Sequence, residues 1–227
     1  MTRARARSRI EPVRDALRSY YGCPRNEPHR APLDELVLTV LSQNTNDRNR
    51  DVAYERLRDR FADWAAVASA PESAIEEAIR PGGISNVKAA RIKAMLAAIQ
   101  AERGDLDLGF LAEAPRDEAL AFLERLPGVG RKTAACVQLF SFDRPELPVD
   151  THVYRVASRL GLIRAKASFK EAHDVLLDAT DPGDVYEVHV NLIRHGRRIC
   201  TARAPACPEC PLLEQCPYGK RAVRRQQ

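Results

Sequence analysis

Apolar residues recur at helical spacing along most of this chain, and the polar residues between them mark where each element ends. Ile10, Val13, Leu17 and Tyr20 share one stripe, which predicts a helix over Arg9–Tyr21 that stops at Gly22. Pro32 opens a nearly continuous Leu/Val run to Gln43, the pattern of a helix buried on most sides. The amide-rich Ser42-Gln43-Asn44-Thr45-Asn46 segment ends it. Asp47–Phe61 follows, with Val52, Leu57 and Phe61 inward and arginines outward. Asp63 and Pro71 each start a short helix, Pro81-Gly82-Gly83 closes the second, and Ser85 is expected to cap a long helix that runs to Arg103 before Gly104. Pro115 precedes a helix over Arg116–Arg125, and another is expected to begin near Arg131. Ser168-Phe169-Lys170-Glu171 reads as a capping box ahead of Ala172–Ala179. Tyr186–Leu192 alternates apolar and polar residues like a strand, but no second strand exists to pair with it, so it is assigned as helix.

One turn organises the rest. Leu126-Pro127-Gly128-Val129-Gly130 joins two helices and is followed at once by Arg131-Lys132-Thr133. Glycines allow positive φ and close approach of other atoms. The N–H groups of such a turn, at the positive end of a helix, suit one phosphate; the same sequence also serves as a plain tight connection between packed helices. Lys132 adds chemistry. An ammonium at a helix N-terminus is opposed by the helix dipole, and partial burial would lower its pKa further, which is what an amine nucleophile needs. Asp150, between Val149 and Thr151-His152, reads as a helix N-cap that can also present a carboxylate.

Composition narrows the setting. The 227 residues are 44% hydrophobic, with no apolar run of membrane length and no apolar leader after Met1, so a cytoplasmic protein without a membrane partner is expected, associated with the nucleoid if the source is prokaryotic. The net charge of +5 is uneven: residues 1–18 carry +4, residues 194–227 carry +6, and the middle is acidic. Basic ends suit a polyanion, although solvated charged tails look the same. Of six cysteines, Cys200, Cys207, Cys210 and Cys216 cluster, while Cys23 and Cys136 stand alone. Four thiolates on one short loop suit tetrahedral zinc or a cubane iron–sulfur cluster. Cys136 reads as a small apolar core residue and Cys23 as a free thiol. His173, His189, His195 and Trp64 read as structural.

Leu126–Ala134, Val149–His152 and the Cys-x6-Cys-x2-Cys-x5-Cys spacing together resemble the endonuclease III family of helix–hairpin–helix DNA glycosylases, over most of the chain. The resemblance implies an all-α fold of two helical lobes with the active-site cleft between them. Residues 24–144 would form a six-helix barrel domain with the hairpin; residues 1–23 and 145–227 would form a [4Fe-4S] cluster domain ligated by Cys200, Cys207, Cys210 and Cys216.

The implied activity is that of a bifunctional DNA glycosylase and abasic-site lyase of base excision repair, acting as a monomer on double-stranded DNA with a damaged base, expected to be an oxidised pyrimidine, or an abasic site. Such a base must leave the helical stack before an amine can reach its sugar. Lys132 would attack the sugar with Asp150 assisting. Gln43, with Asn44 beside it, would fill the gap, and Ile84 would be the apolar wedge. Gly128, Val129 and Gly130 would hold a phosphate, with His152 and Arg203 as further DNA contacts. Ser85, Asn44 and Asn191 depart from the family pattern, which bears on substrate choice and leaves the Lys/Asp chemistry intact. The alternatives are a monofunctional mismatch or uracil glycosylase of the same superfamily and a non-catalytic DNA-binding protein.

Overall fold

A computed structural model describes residues 3–28 and 30–225, with residues 3–7 as backbone only. Residues 1–2 and 226–227 of the two basic ends therefore lie outside the described residues. Within them the chain forms twelve α-helices and four short 3-10 segments, with no strand. None of these helices is long and apolar enough to cross a membrane. The chain divides into two bodies, residues 28–143 and residues 1–27 with 144–227. The division falls at 28, and the segment directly after α1 (Arg3–Tyr21) is tied to α11 (Val185–Arg198) of the same body. There Asn191 Nδ2 donates to Gly22 O at 3.0 Å and Cys23 Sγ to Glu187 Oε2 at 3.2 Å. Cys23 is a free thiol, as read from the sequence, and it hydrogen-bonds the Glu187 carboxylate.

The 28–143 body is built on aliphatic packing. Its helices are α2 (Pro32–Leu41), α3 (Asp47–Arg60), α4 (Trp64–Ser69), α5 (Glu72–Ile79), α6 (Ser85–Arg103), α7 (Arg116–Arg125) and α8 (Arg131–Phe142). α2 lies against α8, and α5 against α6. Leu36, Val40, Leu41, Ile75, Ile92, Leu96, Leu123 and Val137 belong to one continuous buried cluster. On α3 the inward residues are Ala53 and Leu57; Val52 is only half-buried, which corrects the stripe expected there. Trp64 packs on this cluster with the Arg58 guanidinium 4.8 Å from its ring. Asn46 and Asp63 cap α3 and α4 through their side chains.

The other body holds α1, α9 (Thr151–Leu160), α10 (Phe169–Ala179), α11 (Val185–Arg198) and α12 (Pro217–Arg224). α1 begins six residues earlier than expected, since alternating Arg and Ala are strong helix formers. Ile10, Val13 and Leu17 are its buried stripe, whereas Tyr20 is exposed. Ser168 Oγ accepts from Glu171 N at 3.1 Å, but the Glu171 carboxylate turns to Arg164 instead of completing the box. Segment 186–192 is helical, within α11.

Candidate functional site

In the 28–143 body the hairpin turn is as short as its sequence suggests, and its two glycines differ. Gly128 has φ +78, and a Cβ there would meet the Arg91 side chain at 2.9 Å, so both the backbone and the packing require glycine. Gly130 is extended (φ −109), with nothing within 4 Å of where a Cβ would sit; no packing within the protein requires it. Val129 belongs to the apolar cluster and its N–H donates to Leu126 O at 3.1 Å. Its side chain is therefore a core residue, and any part Val129 takes in holding a phosphate falls to the backbone of the turn. α8 then starts at Arg131, with Gly130 O accepting from Ala134 N at 3.0 Å, so its first-turn N–H groups point back over the turn. Lys132, on that first turn, is half-buried.

Each of the two segments expected to enter DNA carries a positive-φ residue that is not glycine, as does the end of α8 at Asp143. Asn44 has φ +51, a conformation asparagine tolerates. Ile84 has φ +41, which is a true outlier for a β-branched side chain, yet its side chain is 43% exposed. Strain of this kind persists only where surrounding structure enforces it, and it concentrates at functional sites. Ile84, not Ser85, is the N-cap of α6; Ser85 is its first residue, and its hydroxyl reaches Glu76 at 3.5 Å. The helix thus opens in a left-handed residue, and the expected hydroxyl cap is absent.

Three residues of this site were not singled out from sequence. Lys88 is fully buried and donates to Leu41 O and Gly82 O, each at 2.7 Å, tying the end of α2 to the loop ahead of Ile84. Burial pulls its pKa down to about 8. One turn on, Arg91 Nη1 donates to Gln43 Oε1 at 2.6 Å, while Gln43 Nε2 reaches Gly128 O at 3.4 Å. Glu35 is buried on α2; burial raises its pKa, and the Thr39 hydroxyl with the charges of Arg30, Lys132 and Arg50 pulls it back. Asp34 and Glu35 stand together at the start of the Leu33–Leu41 apolar run, and nothing in the sequence separates the buried one from its neighbour.

In the other body, Asp150 is the N-cap of α9, with Oδ1 accepting from Val153 N at 2.7 Å. That bond uses one oxygen of the half-buried carboxylate. His152 is held from two sides: Arg155 Nη2 lies 3.0 Å from its Nδ1, and Gly196 leaves room for it, since a Cβ on Gly196 would sit 2.9 Å from His152 Cβ. Its ring is a packing element of this body. Arg203 is exposed on the cysteine loop. His173 bonds the backbone at Leu147 and Val149, and His189 the Pro148 carbonyl, all just ahead of Asp150.

Cys200, Cys207, Cys210 and Cys216 line a single pocket of about 340 Å³, open mouth included, with Val156, Leu160, Ile199 and Leu212 among its apolar walls. Arg159 Nη1 donates to Cys200 Sγ at 3.2 Å, and Gly219 N to Cys216 Sγ at 3.2 Å. Burial pushes the Cys207 thiol up and the Cys210 thiol to about 11. Among the described residues no three His, Cys, Asp or Glu side chains converge to hold one metal ion. Four soft donors around an apolar pocket fit a thiolate-ligated metal group, either a single zinc or an iron–sulfur cluster.

The family described as HhH-GPD superfamily base excision DNA repair protein matches residues 37–180. Endonuclease III of Sulfolobus acidocaldarius is 33% identical over 185 residues, covering 81% of this chain and 80% of that protein. Endonuclease III of Thermotoga maritima is 33% identical over 199 residues, covering 87% of this chain and 88% of that protein. Among solved structures, a trapped endonuclease III–DNA covalent intermediate in an estranged-adenine complex matches with a TM-score of 0.83 at 31% identity, covering 99% of this chain and 100% of that one. The hairpin ahead of Lys132 and the four-cysteine loop thus sit in a chain that belongs to the HhH-GPD superfamily of base excision repair proteins, and within it to the endonuclease III family of DNA glycosylases.

Proposed function

We propose that this DNA glycosylase is bifunctional, removing a damaged base, an oxidised pyrimidine in the first instance, and then cleaving the strand as a lyase. The observation that carries the proposal is Lys132 on the first turn of α8, directly after a turn whose Gly130 leaves open space that nothing in the protein fills. A backbone phosphate seated there would set the sugar beside the amine. The neutral Lys132 nitrogen bonds to C1′ as the C1′–base bond breaks and the base leaves with its electron pair. Loss of the amine proton and opening of the ring give a Schiff base. Removal of a C2′ proton then expels the 3′ phosphate and leaves a nick. Asp150 is the carboxylate that assists, stabilising positive charge at the sugar. The solved neighbour trapped as a covalent intermediate with DNA supports a covalent route.

Gln43 is assigned to the gap left by the extruded nucleotide and Ile84 to the wedge, supported by an exposed aliphatic side chain on backbone that is otherwise unfavourable. Cys200, Cys207, Cys210 and Cys216 would hold a [4Fe-4S] cluster, which when bound supplies a rigid anchor for the loop that displays Arg203. The protein is proposed to act as a monomer on duplex DNA.

Borohydride added to the protein and an abasic-site duplex should capture a covalent adduct that Lys132→Ala abolishes. Release of an oxidised pyrimidine from a duplex that carries one, without any adduct on the abasic-site duplex, would refute the lyase assignment, and binding of both duplexes without either activity would refute catalysis by Lys132 altogether.

A further inference from the structure

The 28–143 body contains a closed ring of contacts that the proposed reaction does not use. The stem of Arg91 crosses the face of Gly128, where a Cβ would lie 2.9 Å from its Cδ and 3.0 Å from its Cγ. The guanidinium then reaches Gln43 Oε1 at 2.6 Å, and the Gln43 amide returns to Gly128 O at 3.4 Å. Three elements meet there: the end of α2, the helix that follows the Ile84 wedge, and the hairpin turn. Lys88, one turn before Arg91, fixes the same two loops from beneath through the carbonyls of Leu41 and Gly82.

The ring also decides which way the Gln43 amide faces. A guanidinium can only donate hydrogen bonds, so the atom against Arg91 must be the amide oxygen, and the NH2 group is the end turned away from it. The contact from that NH2 group to Gly128 O is long, so it is the group with hydrogen-bonding capacity left to offer. We propose that Arg91 is a positioning residue that makes Gln43 meet the base left opposite the lesion as a hydrogen-bond donor, and so sets which partner base is preferred. The inference rests on the assignment of Gln43 to the gap.

The chemistry of the base edges gives a direction. The pairing edge of adenine offers an acceptor, N1, beside the N6 amino donor. That of guanine offers two donors, N1–H and the N2 amino group, with one acceptor at O6. A donor-first amide mates with adenine N1 and opposes guanine N1–H. A polar group that meets the wrong partner in a desolvated gap costs on the order of tenfold in binding or rate.

The test compares abasic-site duplexes carrying adenine or guanine opposite the site, with kcat/KM measured for strand cleavage and adduct formation followed with borohydride. The natural protein should favour adenine by roughly tenfold. Arg91→Met keeps the aliphatic stem over Gly128 but frees the amide to turn, and should bring the ratio toward one. Gln43→Glu, which leaves Arg91 in place and replaces the donor with an acceptor-only carboxylate, should invert the preference toward guanine. An unchanged adenine-to-guanine ratio in Arg91→Met, with the adduct still forming, would overturn the role of Arg91 while leaving the lyase reading standing. No adduct on either duplex with the natural protein would instead remove the catalytic reading, and this inference with it.

Discussion

The two bodies of this protein solve the same problem with different materials. Residues 28–143 bury a continuous aliphatic cluster, and the buried polar groups described there are scattered over several helices, as Lys88 is, which takes the carbonyls of Leu41 and Gly82. Residues 1–27 and 144–227 bury polar groups in quantity: Glu187, His189, Asn191 and His195 are all inside, on one helix. Each is matched there. Glu187 takes Arg18, His189 bonds Pro148 O, Asn191 donates to Gly22 O, and His195 lies near Tyr21 and Cys210. Arg155 and Arg159 tie α9 to the cysteine loop through the carbonyls of Gly196, Cys200, Thr201 and Ala202. Aliphatic packing is non-directional and gains in proportion to area, whereas a hydrogen-bonded interior contributes little net stability per bond but penalises each bond lost. The first body should therefore fold on its own side chains, and the second should depend on whatever closes its cysteine loop.

The most severe way to break that contrast is to remove a proposed cluster ligand. Cys210→Ala should abolish broad visible absorbance and withdraw metal-linked folding free energy on the order of 10 kcal/mol. Amide hydrogen exchange should then rise across Val188–His195 and the cysteine loop while Ile92–Ile99 stays protected. Equal loss of protection in both bodies would show that the aliphatic one has no independent footing.

Lys88→Met attacks the other body at a fully buried cation. It leaves Leu41 O and Gly82 O without a donor, a cost of about 3 kcal/mol for two buried carbonyls. The effect has a pH signature with a defined sign. Burial lowers the Lys88 pKa to about 8 from an ordinary value of 10.5. Between those values the unfolded chain still binds a proton that the folded chain has released, so this group makes the fold more stable as pH rises through the window. Thermal unfolding of the natural protein and of Lys88→Met, run side by side at pH 7 and pH 10, should show that increment in the first and not in the second. Parallel pH profiles would contradict the burial of a charged amine.

The same contrast explains what could be read before any coordinates. Where apolar side chains carry the packing, helix bounds follow from periodicity: Pro32, Asp47, Asp63, Pro71 and Pro115 all mark real starts. The misleading strand-like alternation at Tyr186–Leu192 arises because its polar members, Glu187, His189 and Asn191, are all buried while two of its apolar ones, Tyr186 and Val190, are only half-buried. Hydrophobicity then ceases to report which face is inside. Lys88 and Arg91 were invisible for a related reason. Two basic residues three apart on a long helix look like solvated charge, and no local pattern reveals that the carbonyl of Leu41 or the amide of Gln43 ends against them. Val129 and Gly130 were assigned one role by one motif, yet the valine belongs to the core and the glycine borders empty space.

The smallest expected effect on folding belongs to Asp150, the polar residue of the second body whose work in the fold is easiest to replace. Its Oδ1 accepts one bond, from Val153 N at 2.7 Å, and an asparagine oxygen at an N-cap accepts the same bond about equally well. Asp150→Asn should therefore keep α9 capped, change the unfolding free energy by no more than about 0.5 kcal/mol, and leave affinity for an abasic-site duplex near normal. What the substitution removes is the negative charge, which the cap does not need and the proposed chemistry does. Turnover should fall by about a hundredfold or more, the usual scale for losing a group that acts on charge developing in the transition state. The decisive comparison is kcat against thermal midpoint in the same preparation. A normal kcat at an unchanged midpoint would make Asp150 a cap and nothing else, one more polar group that this body keeps in order to fold.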